Sequence, residues 1–293
     1  MDAFIQQVFA GLATGGIYAA VALALVMIYQ ATNDLNFAQG EMAMFSTYIA
    51  WSLINKGMPY WWAFIITIIV SFLGGVAIQR IVLRPVQNAP VLAQVIVFIG
   101  LLVFFNSMAG WIFDYLIKPF PSPFPQTPLK VGSIVFGMHN LGAICITLVV
   151  LVVLFSFFRF TSLGLAMRAA AQNPVSSRLV GIRVGWMLAL GWGFAAAIGS
   201  VAGMMVAPLV FLEPNMMSGV LLYAFAVALL GGISSPGGAV VGGFTLGVLE
   251  NLVGTYVPFV GNELKLTVAL VLIIGVLLVR PSGLFGKVTV KRV

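Results

Sequence analysis

Apolar residues fill most of this chain in long runs that short polar segments separate. Nine runs are present, at 5–29, 42–55, 62–79, 91–113, 139–158, 185–210, 217–232, 239–254 and 264–279. A helix needs roughly 20 apolar residues to cross a bilayer, so the second, seventh and eighth runs are short for a full crossing. Because backbone groups in lipid must be hydrogen-bonded within their own segment, such runs form helices. The pattern predicts an all-α polytopic membrane protein with about eight or nine transmembrane helices, some short or broken.

Composition supports this interpretation. Of the 293 residues, 61% are hydrophobic and 7% are charged, whereas soluble domains carry about 25% charged residues. This excludes a soluble enzyme and predicts a single transmembrane domain over residues 1–293, multi-pass in the cell (inner) membrane. A net charge of +7 would suggest nucleic acid in a soluble protein. In a membrane protein, basic loops on one face explain the charge, so no nucleic-acid partner is expected.

The basic residues predict the orientation. In a nine-crossing arrangement one side carries Arg80, Arg84, Arg159, Arg168, Arg178, Arg183, Arg280, Lys287, Lys291 and Arg292. The other side carries Lys56, Lys118, Lys130 and Lys265. Since cytoplasmic loops are enriched in Lys and Arg, the N-terminus is expected outside and the C-terminus in the cytoplasm. Residues 159–184 then form a cytoplasmic loop, and residues 114–137 form an external one.

The external loop is rich in proline. It contains Pro119, Pro121, Pro123, Pro125 and Pro128. This spacing prevents helix formation and favours an extended, polyproline-like chain. Two interpretations stay open: a docking surface for an external partner, or a rigid exposed connection.

Glycine spacing predicts close helix packing. Four pairs lie four residues apart: Gly11 and Gly15, Gly199 and Gly203, Gly238 and Gly242, and Gly243 and Gly247. Small residues at this spacing let helix backbones approach each other in lipid. The segment 231–238 cannot continue a helix, because it combines Gly, Ser and Pro. A turn at the cytoplasmic surface is favoured there, and a helix broken near a pathway is the second interpretation.

Polar residues within or beside the apolar runs are candidates for lining a pathway: Tyr18, Asn36, Gln39, Glu41, Asn106, Glu250 and Asn251. A structural role is the alternative. Asn36 would cap the helix that follows, and Glu41 would favour that helix's positive end. A buried charge costs about 2.5–3.5 kcal/mol on insertion scales. Glu250 therefore needs the pathway's water, or a partner in Asn251 and a neighbouring helix.

Recognisable catalytic chemistry is missing from the sequence. Residues 286–289 do not complete a phosphate-binding loop, and no set of residues has the pattern of a metal site or an activated nucleophile. Cys145 is the single cysteine, so no intrachain disulfide can form. A proton- or sodium-driven carrier usually needs several acidic groups within its spans. Their scarcity indicates an energy source outside this chain.

The central loop is the most informative segment. Leu165 to Gln172 are strong helix formers, and Asn173-Pro174 ends that helix and can begin another, since proline suits a first helical turn. This predicts a short helix pair at the cytoplasmic face. The pair is either an anchor at the lipid interface or a rigid element that a cytoplasmic partner contacts. A cysteine at Ser177 is expected to be labelled from the cytoplasm only.

The loop resembles the coupling segment of ABC-transporter permeases of the branched-chain amino acid family, the LivH-type subunit. Other stretches agree and follow the family order: 11–23 resembles the first span, Asn36-Phe37-Ala38-Gln39-Gly40-Glu41 the Asn-Phe-Ala-x-Gly-Glu signature, 230–243 the glycine-rich segment, and 280–286 the C-terminal ending.

The resemblance implies an importer for a branched-chain or similar hydrophobic amino acid. An extracytoplasmic binding protein would deliver the substrate, a second permease subunit would complete the path as a heterodimer, and two cytoplasmic ATPases would hold ATP and magnesium, with no cofactor in this chain. The resemblance also implies an ATPase contact formed by Gly164, Arg168, Ala169, Ala170, Asn173, Pro174, Arg178 and Gly181. The alternatives are a passive channel or secondary carrier for a small polar solute, a membrane-embedded enzyme, and an ABC permease for urea or another amino acid.

Overall fold

The computed structural model describes residues 2–32, 35–87, 89–125, 127–131, 134–259, 261 and 264–286. The basic residues Lys287, Lys291 and Arg292, which entered the orientation argument, lie outside them. The described residues form helices α1 (Asp2–Thr32), α2 (Gln39–Asn55), α3 (Tyr60–Ile78), α4 (Val91–Phe113), α5 (Met138–Phe160), α6 (Ser162–Gln172), α7 (Pro174–Leu179), α8 (Val184–Val210), α9 (Met216–Gly231), α10 (Pro236–Tyr256) and α11 (Lys265–Val279).

Each of the nine predicted apolar runs coincides with a helix to within three residues at its ends. Among the residues that the structure describes, six helical segments are long and apolar enough to cross a membrane: Ala3–Gln30, Tyr60–Val86, Val91–Phe113, Met138–Phe160, Val184–Val210 and Pro236–Tyr256. Helices α9 and α11 are apolar but shorter, and α2 has 17 residues. A helical, multi-pass membrane protein is therefore confirmed. The count of eight or nine crossings and the orientation stay predictions.

The external loop is not wholly irregular. No helix forms over the described residues of 114–128, as the prolines predicted. Two short strands follow, β1 (Leu129–Val131) and β2 (Ile134–Phe136), which pair antiparallel as a hairpin. The proline spacing did not predict this hairpin, because the last proline of the pattern, Pro128, precedes both strands.

The chain divides into two compact units, each described here by itself. Unit 1 comprises Met1–Val26, Phe124–Leu151 and Leu221–Val293, and unit 2 comprises Met27–Pro123 and Val152–Val220.

In unit 1, helix α1 packs along α10 through glycines. A Cβ added to Gly15 would lie 2.6 Å from the carbonyl oxygen of Gly243, and one added to Gly243 would lie 2.6 Å from the Cβ of Ala19. Such separations leave no space for a side chain, so the predicted close approach of helix backbones is confirmed for these glycines.

The glycine-rich segment after α9 is a turn, as the sequence predicted. Helix α9 ends at Gly231, and α10 begins at Pro236, where the Ser235 hydroxyl accepts a hydrogen bond from the Gly238 N–H at 3.0 Å. The C-terminal segment closes this turn, because the N–H groups of Leu284 and Phe285 donate to the last carbonyls of α9 at 2.9 and 3.1 Å.

In unit 2, helix α8 packs against both α2 and α3. Trp192 of α8 is 1% exposed and stacks on Phe98 of α4 with ring centroids 5.9 Å apart. Gly203 lies so close to α2 that an added Cβ would be 2.7 Å from the Ala43 carbonyl oxygen. The centre of unit 2 is thus a tightly packed group of helices around α8.

Candidate functional site

The predicted helix pair of the central loop is present in unit 2, with its boundary at the predicted residue. Thr161 caps α6, since its hydroxyl accepts from the Gly164 N–H at 3.0 Å. Asn173 ends α6 and caps α7 through its side-chain oxygen, which accepts from the Ser176 N–H at 3.0 Å. Pro174 occupies the first turn of α7. Side-chain capping of this kind satisfies the free N–H groups of each short helix.

One face of α6 attaches the pair to unit 2. Gly164, Met167 and Ala170 are buried, at the three-residue spacing that places side chains on one face of a helix. Gly164 has no room for a side chain, because an added Cβ would lie 2.7 Å from the Cα of Phe158. Ala169 is only partly exposed.

The other face of the pair is exposed and mixes apolar with basic residues. Arg168 and Arg178 are exposed, and so are four large apolar side chains: Leu165, Val175, Leu179 and Val180. Gly181, which follows the pair, has a φ of +84°, a conformation that glycine adopts without strain. Ser177, in contrast, is 4% exposed. It is therefore a poor labelling position, and the sequence-based choice of it was wrong.

The segment before α2 lies inside unit 2. Asn36 is 1% exposed, and its side-chain oxygen accepts from the Ala38 N–H at 3.0 Å. The N-cap of α2 is Ala38, which forms no side-chain cap. The alternative in which Asn36 caps α2 was therefore wrong, because Asn36 lies two residues before the N-cap and its side chain closes a local turn there. The predicted place of Glu41 in the first turn of α2 is confirmed.

Helix α2 begins beside the middle of α8. Gln39 donates to the Ala195 carbonyl at 3.0 Å, and Ala195 lies well inside Val184–Val210, a candidate membrane span. Successive turns of α2 then follow α8 towards its C-terminal end, where Gly203 meets Thr47. The first turn of α2 is thus at mid-depth of the candidate span. Irregular backbone at this depth is tolerated because protein buries it.

Glu41 is buried at this point and meets residues from distant parts of the chain. The Asn106 amide donates to Glu41 Oε2 at 3.3 Å, to the Pro214 carbonyl at 3.0 Å and to Asn215 Oδ1 at 3.1 Å. Asn215 directly precedes α9, so two short helices begin at one polar cluster. We call Glu41, Asn106 and Asn215 the asparagine cluster.

Replacing Asn106 by leucine is expected to destabilise the protein by about 1–3 kcal/mol, because a buried carboxylate and a carbonyl lose their donor. Thermal unfolding in mild detergent measures the effect. Ser107→Leu places the same side chain at the next position of α4, which is exposed, and should change stability by less than about 0.5 kcal/mol. In a Glu41→Gln background the cost of Asn106→Leu should fall. An equal loss of stability from Asn106→Leu in both backgrounds would contradict the contact between Asn106 and Glu41.

A second polar cluster lies in unit 1. The rings of Tyr18 and Tyr223 stack with centroids 4.6 Å apart beside the Glu250 carboxylate. Within the described residues, Oε2 of Glu250 is buried and has no hydrogen-bond partner. Asn251 instead donates to Thr14 Oγ1 at 3.4 Å and to the Gly247 carbonyl at 3.1 Å. The pairing of Glu250 with Asn251, which was one of the two alternatives left open for Glu250, is therefore not formed. Adjacent residues of one helix point about 100° apart, so these two face different neighbours.

Sequence reasoning missed two members of these clusters. Tyr223 lies in an apolar run, like Tyr18, and the same signal of a polar group within a run would have identified it. Asn215 follows a proline and precedes α9, which is the pattern of a helix start. Both residues meet the criterion that selected Tyr18 and Asn36, which is a polar side chain within or beside an apolar run.

Comparisons with known proteins agree over nearly the whole chain. The family described as branched-chain amino acid transport system, permease component, matches residues 7–277. The high-affinity branched-chain amino acid transport system permease protein LivH of Salmonella typhimurium is 32% identical, with 99% of this chain and 98% of LivH covered. The permease protein BraD of Pseudomonas aeruginosa is also 32% identical, with the same coverage of 99% and 98%.

More distant proteins extend the likeness. The probable branched-chain amino acid transport permease protein LivH of Methanocaldococcus jannaschii is 26% identical, over 91% of this chain and 87% of that protein. The solved structure of PsaBC from Streptococcus pneumoniae in complex with Fab aligns with a TM-score of 0.50 at 12% identity, covering 94% of this chain and 92% of that one. The latter likeness concerns the fold alone.

Proposed function

The chain belongs to the family of permease components of branched-chain amino acid transport systems, and we propose that it forms the translocation path for a branched-chain or similar hydrophobic amino acid in an ABC importer. It is a transport subunit and not an enzyme. ATP hydrolysis and the magnesium it needs belong to separate partner chains, which couple to transport through the helix pair of the central loop.

The exposed face of that helix pair is the observation that carries the proposal. Helices α6 and α7 are capped and held to unit 2 by buried residues, so a force applied to them is transmitted to α8 rather than absorbed by a flexible loop. Their free face combines Arg168 and Arg178 with large apolar side chains. Apolar area beside arginine is typical of a protein contact surface. This supports a docking surface for a cytoplasmic ATPase.

The polar clusters support a weakly polar path. Short helices that begin at mid-depth are typical of transporter sites, and α2 and α9 both start at the asparagine cluster. In unit 1, the stacked rings of Tyr18 and Tyr223 lie beside Glu250. Within unit 2 we assign path-lining roles to Asn36, Gln39, Glu41 and Asn106. Within unit 1 we assign path-lining roles to Tyr18, Glu250 and Asn251. A path wall with few charges suits a zwitterionic substrate that another protein delivers, because tight binding to the wall would slow its release.

The proposed assembly contains this chain, a second permease subunit, two ATPases and an extracytoplasmic binding protein, all at the cell inner membrane. One transmembrane domain of nine crossings would place the N-terminus outside and the C-terminus in the cytoplasm, whereas eight crossings would place both termini on one side. The reconstituted assembly should accumulate a branched-chain amino acid with ATP and its binding protein. Accumulation against a gradient by this chain alone would contradict the proposal, because it would identify a secondary carrier.

Cysteine labelling tests the orientation. In a Cys145→Ser background, which removes an exposed natural thiol, Ser176→Cys is expected to react with a membrane-impermeant maleimide only from the cytoplasm. Ser176 is exposed on α7. Thr127→Cys, exposed in the proline-rich loop, is the matched control and should react only from outside. Reaction of both cysteines from the same side would overturn the proposed topology.

A further inference from the structure

Three arginines of unit 2 converge where α3 ends and α8 begins. Arg80 and Arg84 come from the π-helical turn Gln79–Leu83 and the 3-10 turn that continue α3, and Arg183 directly precedes α8. With Gly185 and Trp186 they line a cavity of about 210 Å³. π-helical turns within helices occur frequently at functional sites.

The guanidinium groups have no acidic partner from their own elements. None of the seven acidic residues lies at positions 42–113 or 115–212 of the sequence, which include α3, α6, α7 and α8. Within the described residues, Nε of Arg80 is buried and has no hydrogen-bond partner. Three like charges around one cavity repel each other unless an anion neutralises them. The cavity therefore has the electrostatics of an anion site.

Trp186 fixes one wall of this site. Its ring lies 3.7 Å below the guanidinium carbon of Arg80, a cation–π contact that holds the arginine in place. The tryptophan is 44% exposed, and tryptophan is enriched where a bilayer meets water. Trp186 is also the third residue of the candidate span Val184–Val210, so the cavity lies at the end of that span, where headgroups begin.

An apolar groove continues from the cavity. Arg183 and Trp186 also line this second space of about 330 Å³, and its other walls are Ala166, Ile182, Met187 and Leu190. Leu190 lies one helical turn beyond Trp186 along α8, so the groove extends from the headgroup level into the candidate span. A charged cavity joined to an apolar groove fits a molecule with an anionic head and a hydrocarbon chain.

The surface around the cavity carries apolar side chains of the kind that acyl chains contact. Helix α3 turns large apolar side chains outward, among them Ile69 and Leu73, which are 54% and 59% exposed. Next to Arg80, Ile81 is 74% exposed. In a candidate membrane span such a face contacts acyl chains. We propose that Arg80, Arg84 and Arg183 bind the phosphate of an anionic glycerophospholipid, with one of its acyl chains in the groove. The proposal is independent of which solute is transported.

Native mass spectrometry of the full chain in mild detergent tests the site. Dioleoyl phosphatidylglycerol is expected to bind more tightly than dioleoyl phosphatidylcholine. Arg80→Gln, Arg84→Gln and Arg183→Gln should each weaken phosphatidylglycerol binding about fivefold. Arg159→Gln, which removes an exposed arginine that does not line the cavity, is the matched control and should leave binding unchanged. Gel filtration without anionic lipid verifies that each variant is folded.

Three outcomes would overturn the proposal. The first is equal affinity for the two lipids in the unaltered protein. The second is displacement of phosphatidylglycerol by equimolar inorganic phosphate, which would identify a site for free anions rather than lipid. The third is unchanged lipid binding in the single variants together with loss of the co-expressed ATPase during purification, which would identify a protein contact surface.

Discussion

Substitution of Gly247 by valine is expected to abolish accumulation of folded protein. An added Cβ there would lie 2.5 Å from the Cα of Gly15, well inside van der Waals contact, and backbone cannot yield as a flexible side chain can. Helices α1 and α10 would have to separate within unit 1, and they would lose the close packing that replaces a hydrophobic driving force in lipid. The yield of monodisperse protein by fluorescence-detected gel filtration measures the effect.

The chain offers a matched control for this experiment. Gly275 lies in α11, and nothing lies within 4 Å of a Cβ added to it. Gly275→Val should therefore leave the yield within about twofold, since surface substitutions usually change stability by less than about 0.5 kcal/mol. Comparable yields of the two variants would show that α1 and α10 do not require contact through these glycines.

Reversal of the charge at Arg168 is expected to lower ATP-driven uptake by about tenfold or more, while the protein still inserts and folds. Its guanidinium is exposed on the free face of α6, so the substitution Arg168→Glu removes no buried contact of this chain. A like-charge or unpaired contact at a protein interface costs several kcal/mol, enough for such a loss. Uptake and ATP hydrolysis are measured together in proteoliposomes with the partner subunits.

Uptake should fall more than hydrolysis, because the ATPases keep their own active sites and lose only their connection to α6. Lys56→Glu reverses an exposed charge at the end of α2, which is predicted to face the other side of the membrane, and should leave both rates unchanged. The face of α6 to which volume is added also matters. Ala171→Leu adds volume to the exposed face of α6, whereas Ala170→Leu adds volume to its buried face. Normal coupled uptake in the Arg168→Glu variant would contradict the proposal that the helix pair couples the ATPases to transport.

Local features of this protein could be predicted from sequence because local chemistry determines them. Asn173-Pro174 gave the boundary between α6 and α7, since a capping side chain and a proline act on adjacent backbone groups. The apolar runs also predicted the helices, because each helix is determined by one continuous stretch of residues. Contacts between distant residues could not be predicted in this way: Glu41 and Asn106 are 65 positions apart, and no spacing rule relates them.

Burial was also beyond sequence reasoning, for a reason specific to membranes. Trp192 is 1% exposed, whereas Trp111 is 83% exposed, yet both lie in apolar helices. A lipid-facing surface and a protein core are equally apolar, so hydrophobicity does not distinguish them. The choice of Ser177 had a different cause: a small polar residue in a loop helix carries no sequence signal of burial, yet Ser177 is 4% exposed.

The hydrogen bonds from Leu284 and Phe285 to the end of α9 have a consequence for the order in which the chain is completed. Every residue of unit 2 has been synthesised once Val220 is added, but unit 1 also needs Leu221–Val293. The last carbonyls of α9 acquire their donors only when residues 284 and 285 emerge. Helix α1 therefore packs along α10 only after residue 256 has been synthesised, and the end of α9 gains its hydrogen bonds later still.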